Sequence, residues 1–222
     1  MNIMGAPTTA RRDTPPLGVP VLTRGRHRDL TEGSCVMEYV SVLAGRRFSD
    51  HPDCTDPLLS WLARGVNDRV GDRARASLAG LAPGLIGTRV HRSGARGVVR
   101  AVVFGELATM GLAGAPHDPW FRELDELATA YLARRVRPPA PPTEGCPAAP
   151  GGRRRWQPLA TFDRNFTFAE VCRALGGVPP EYRDWLMCEA LTSGVARTRR
   201  VLSLPEVTVA VLGPSPATAP PE

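Results

Sequence analysis

The sequence predicts a mainly α-helical protein: a helical domain of about five helices, then a Pro-rich linker and a small α+β extension. Three observations predict it. Apolar residues recur three and four apart through residues 31–136, the spacing that lines one face of a helix. Asp-Pro pairs at 56–57 and 118–119 place a capping side chain before a residue whose φ is already helical. The stretch RPPAPPTEGCPAAPGGRRR, 137–155, interrupts the pattern, and RVLSLPEVTVAVLG beyond it alternates as a strand pair does.

Residues 1–29 read as a disordered tail. Pro, Thr and Arg dominate TPPLGVPVLTRGRHR, too little apolar surface to offset the entropy of ordering. The helical domain spans 30–136. Its first helix is TEGSCVMEYVSVLAG, 31–45, with Thr31 or Ser34 as cap, Val36, Val40 and Leu43 on one stripe, and Gly45 at the C′ position. Residues 46–56 form a turn-rich loop. Asp56 and Pro57 start a second helix that carries Leu59, Leu62, Val66 and Val70 inward and ends at Gly71. Asp72 caps a short helix that Pro83 and Gly84 stop. After a connector, Val99, Val103, Leu107 and Met110 mark a fourth helix over about 97–113. Asp118 and Pro119 start a fifth, with Leu124, Leu127 and Tyr131 on its core side.

The linker is 137–155 and the small α+β unit 156–212. Thr167 caps a short helix in FTFAEVCRALGG, with Phe168, Val171, Cys172 and Leu175 inward, and PPEYRDWLMCEALTSGVARTRR forms a longer one. Fifty-odd residues are few for an independent core, so this unit is expected to dock on the first domain. Residues 213–222 are a disordered end.

The 28 basic residues are all Arg, which with abundant Ala, Gly and Pro points to a GC-rich coding bias. The net charge of +6 divides as +3 over 1–29, +1 over 30–136 and +2 over 137–222. The folded part is near neutral, which argues against a nucleic-acid binder with a basic face. The first thirty residues lack an apolar run of signal-peptide length, and no window of about 18 apolar residues is found. The expectation is a cytoplasmic protein with no membrane span. In that reducing setting its five Cys mark metal or redox chemistry more often than disulfides.

The stretches GSCVMEYVSVLAG, FSDHPDCTDPLL, ARGVNDRV and LAPGLIGT, in this order and spacing, resemble an uncharacterised family of small proteins from actinobacteria and their phages. They cover about a third of the chain, from 33 to about 112. In that family an acidic residue often follows AG, where this chain has Arg46, so a role for an acid there does not carry over. The resemblance implies a helical fold and brings no activity or catalytic residues with it.

One constellation could carry chemistry. Cys35 and Glu38 are three apart on the first helix, and His51 and Cys54 three apart in the next loop. Two thiolates, an imidazole and a carboxylate form a sensible tetrahedral set for zinc, or for iron, with Asp50, Asn67 and Asp68 behind it. The rival reading is structural: Cys is often a small buried hydrophobe, Asp50 can bond backbone amides in a turn, and His51 can bond Glu38. A reactive thiol pair is a third reading. No G-x-S-x-G elbow and no phosphate loop occur. HRSGARG leaves room for a phosphate at a helix start beside Arg92 and Arg96. Cys172 and Cys188 read as core, Cys146 as linker, His27 as tail and His117 as surface.

The sequence therefore favours a non-enzymatic helical interaction or scaffold module with a structural Cys/His loop, no cofactor, and a protein as partner. A metal- or thiol-dependent protein using Cys35, Glu38, His51 and Cys54 is the alternative. Weak nucleic-acid binding through the Arg-rich tail and linker comes third.

Overall fold

The structure, a computed structural model, describes residues 21–92, 94–136, 158–205 and 207. It is mainly helical. The α-helices are α1 (Val36–Leu43), α2 (Pro57–Arg69), α3 (Asp72–Ser77), α4 (Ala82–Leu85), α5 (Ala95–Gly114), α6 (Pro119–Val136), α7 (Arg164–Ala174) and α8 (Pro180–Val201). Among the described residues, extended pairing is confined to one parallel bridge between Leu22 and Ser34.

Local chemistry explains most boundaries. The Asp56 carboxylate accepts from Leu58 N at 2.8 Å and Leu59 N at 3.4 Å, and Pro57 sits where no donor is needed. Asp118 holds Trp120 N at 2.9 Å at the start of α6. Two expected starts and one expected helix are corrected. Helix α1 begins at Val36 and is capped by Cys35, because Glu38 at the third position reaches back to the Cys35 amide; Thr31 instead bonds Asp29 in the preceding turn. Helix α7 is capped by Asp163, while Thr167 lies buried within it and donates to the Asp163 carbonyl. In the short helix expected next, Asp72 is the first helical residue rather than the cap, Leu78–Leu81 tightens into a 3₁₀ turn, and Pro83 does not stop the chain's helical course but falls in the first turn of α4, where its missing N–H costs nothing. The expected count of five helices is exceeded for this reason.

Helix α5 runs through the middle, with α2, α6, α7 and α8 packed around it. Gly111 lets the Phe121 ring of α6 approach the helix backbone, where a Cβ would collide with it. The expectation that no segment is apolar enough to span a membrane is corrected for α5, which meets that test by length and composition. Here 67% of its apolar window is buried by neighbouring helices. Helix α1 rests on α2 and α4.

The helices after the linker share the core of those before it. Phe168 of α7 lies against Gly65, where a Cβ would stand 2.7 Å from its ring, and meets the Trp61 ring edge-on at 5.5 Å. Trp61 Nε1 donates to Asn165 Oδ1 at 3.0 Å. Arg199 of α8 is 8% exposed and donates to the carbonyls of Gly84, Ile86 and Pro205, tying α8 to the end of α4. Of the expected strand pair, Val201 is instead the last residue of α8; residues 206 and 208–212 lie outside the described residues, as do the linker at 137–155 and residues 1–20 of the expected tail. Residues 21–29 do not behave as a tail. Leu22 is 4% exposed, and Thr23 N donates to Ser34 O at 2.8 Å.

Candidate functional site

Of the residues singled out in the sequence, Glu38, Asn67 and Asp68 bond this N-terminal segment, with Cys35 beside Glu38. Asn67, fully buried near the end of α2, spans two elements: its Nδ2 donates to Thr23 O at 2.9 Å and its Oδ1 accepts from Val36 N at 3.2 Å. Asp68 accepts from Gly25 N at 2.9 Å. Arg75 of α3, 2% exposed, closes the C-terminal end of α2 through the carbonyls of Asn67 and Val70. Each of these bonds satisfies a backbone group that the irregular segment or a helix end leaves open.

Glu38 is the centre. It is fully buried, and its carboxylate takes three donors: His27 N at 2.8 Å on Oε1, and His27 Nδ1 and Cys35 N, each at 2.7 Å, on Oε2. The other ring nitrogen of His27, Nε2, is 2.7 Å from Thr23 Oγ1. With Glu38 ionised and the ring neutral, Nδ1 carries the proton and Nε2 accepts from the Thr23 hydroxyl. Gly33 lies over that hydroxyl. Its φ of +113° is open to glycine, and a Cβ there would stand 2.5 Å from Thr23 Oγ1.

Cys35 accepts from Glu38 N through Sγ at 3.4 Å, as a weak helix cap. Burial pushes its thiol up to about 12, against the pull of the Glu38 amide. The thiol is thus neutral and packed, unlike an activated nucleophile.

The second pair bonds other groups. The His51 side chain is 66% exposed and reaches Asp50 Oδ1 at 2.8 Å. Burial raises the Asp50 carboxyl, but His51, Arg64 and Arg26 outweigh it, and it titrates below the usual range. The Asp50 carbonyl accepts from Arg64 Nη1 at 2.7 Å. Cys54 is half-buried, with Sγ 3.9 Å from Thr55 Oγ1, and its carbonyl accepts from Gly87 N at 2.9 Å. The loop is stitched to the connector after α4 by its backbone.

The structure therefore brings Cys35 and Glu38 together and does not add His51 and Cys54. Among the described residues no group of three or more His, Cys, Asp or Glu side chains could hold a metal ion. Of the expected second shell, Asn67 and Asp68 bond Thr23, Gly25 and Val36, while Asp50 bonds His51 and Arg64. Sequence reasoning missed His27, Thr23 and Gly33. A signal existed in Cys35-x-x-Glu38, a capping box with Cys in the place of Ser. His27 gave none, since its partner lies eleven residues on, across a turn without periodicity.

The order hydroxyl, imidazole, carboxylate in Thr23, His27 and Glu38 is also that of a hydrolytic triad. Here the carboxylate is shared with two backbone amides, and the hydroxyl is packed against Gly33. No family model matches the chain, and no curated protein or solved structure is significantly similar to it.

Proposed function

We propose that this chain is a non-enzymatic helical interaction or scaffold module, with a protein as partner and a structural Cys/His loop, in which the Glu38 network serves to lock the N-terminal segment onto α1 and α2. One observation carries the reading: the buried Glu38 carboxylate is taken up by three donors from its own chain, two of them backbone amides. A group so used organises backbone, because each amide it satisfies is costly to leave buried and unpaired. The raised Cys35 thiol and the solvent-facing His51 agree with it.

The test is elemental mass spectrometry on protein purified without chelator or nickel, beside a Cys35→Ala, Cys54→Ala variant. Metal-free protein, with a variant that melts earlier, is the expected result. Near-stoichiometric zinc or iron that the variant loses overturns the reading in favour of a metal protein. Labelling of Thr23 by a fluorophosphonate probe overturns it in favour of a hydrolase.

A further inference from the structure

A cleft of about 460 Å³ opens where the start of α5 meets the last turns of α6 and α8. Arg92, Arg135 and Arg200 line it, with Gly94, Leu202 and Ser203. An adjoining hollow of about 270 Å³ shares Arg92 and Gly94 and adds His91 and Arg96. Among the described residues no Asp or Glu lines either space. Among the described residues none of the three cleft arginines pairs with a carboxylate, whereas Arg75, Arg173 and Arg197 each do.

Two of the guanidiniums are held in place by other means. Arg92 Nη2 donates to Leu202 O at 2.8 Å. Arg135 lies over the Tyr131 ring, 5.7 Å from its centroid, and its two terminal nitrogens rest against Gly94. Gly94 has φ of +82°, and a Cβ there would stand 2.8 Å from both nitrogens. Glycine thus allows a cation to press on the first turn of α5, a helix of 20 residues without a side-chain cap. That end of a helix already carries partial positive charge. Like charges drawn together there repel, and the arrangement gains stability from an anion placed among them. Planar guanidinium forks match the oxygens of a phosphate group, and the cleft volume falls in the ~300–1,000 Å³ range of small-ligand sites.

We propose that this cleft binds a small phosphate-bearing anion, with Arg92, Arg135 and Arg200 as its guanidinium ligands. The site is separate from the Glu38 network and does not depend on the reading of that network. The test is isothermal titration calorimetry on the full chain at constant ionic strength, with chloride as the replacement anion. Inorganic phosphate and ribose 5-phosphate are the probes, and the tighter of the two tells a free phosphate from an ester. Saturable one-to-one binding of either is expected, weakened at least tenfold in Arg135→Gln, Arg200→Gln and unchanged in Arg73→Gln, Arg122→Gln, two exposed arginines away from the cleft. Arg200→Gln alone serves if the double variant does not fold, as judged by its circular dichroism melt. Neither probe binding beyond chloride, or the remote pair weakening binding as much as the cleft pair, overturns the proposal.

Discussion

Glu38 Oε2 and His27 Nδ1 lie 2.7 Å apart, and the same carboxylate holds the backbone amides of His27 and Cys35. A single buried side chain thus joins the N-terminal segment to the start of α1. Replacing it with Ala orphans these donors, at about 1–3 kcal/mol for each that stays buried. Glu38→Ala is therefore expected to lower unfolding free energy by about 2–4 kcal/mol in urea titration. With His27→Ala it should show a coupling of about 0.5–3 kcal/mol in a double-mutant cycle. Additive losses would remove the pair from the centre of the network.

Gly33 and Gly45 both have positive φ, at +113° and +62°, but only Gly33 has a neighbour, Thr23 Oγ1, in the way of a Cβ. Gly45→Ala should cost about 1–2 kcal/mol for its backbone alone. Gly33→Ala should cost more, and should also expose the Thr23 amide to hydrogen exchange. Equal midpoints for the two variants in denaturant titration would argue against the close packing of Thr23.

Burial pushes the thiols of Cys35 and Cys188 up to about 12, whereas Cys54 and Cys172 are only half-buried. Iodoacetamide under native conditions, read by peptide mass spectrometry, should modify Cys54 and Cys172 well before Cys35 and Cys188. Early modification of Cys35 would mark it as a reactive thiolate.

Glu106 of α5 is 4% exposed; burial pushes its carboxyl above the ordinary range, against the Ser193 hydroxyl at 2.9 Å and Arg197 at 3.0 Å. A carboxyl raised in the folded state stabilises most when protonated. That contribution is complete below its unfolded value, ~4.3, and is lost as pH rises through the folded value. Glu106→Gln cannot ionise, so wild type should lose stability relative to it as pH climbs from about 4. Thermal melts of both proteins across pH check this, and a constant difference refutes it.

Helices α7 and α8 bury Phe168, Val171, Leu191 and Val195 in the same core as α2 and α5. A chain cut after residue 136 leaves α5 without two of the helices that cover it. It should bind a hydrophobic dye and lose its cooperative melt, while a cooperative melt would restore the two-domain reading.

Much of the helical scaffold was legible because its signals are local. Asp56-Pro57 and Asp118-Pro119 start helices by satisfying or removing their own donors. The stripe Leu59, Leu62, Val66 and Val70 is buried as its spacing demands. Tertiary structure decided the rest. Cys35 and Glu38 have the spacing of a ligand pair and of a capping box alike, and the arrival of His27 from a segment that reads as tail selects the second. His51 and Cys54 sit at ligand spacing, yet His51 bonds Asp50 and the loop's carbonyls are taken by Arg64 and Gly87. Arg92, Arg135 and Arg200 are scattered over more than a hundred residues, and only the meeting of three helix ends makes one cleft of them. Local propensity is written residue by residue, but the convergence of distant side chains depends on how helices pack, which no short window of sequence contains.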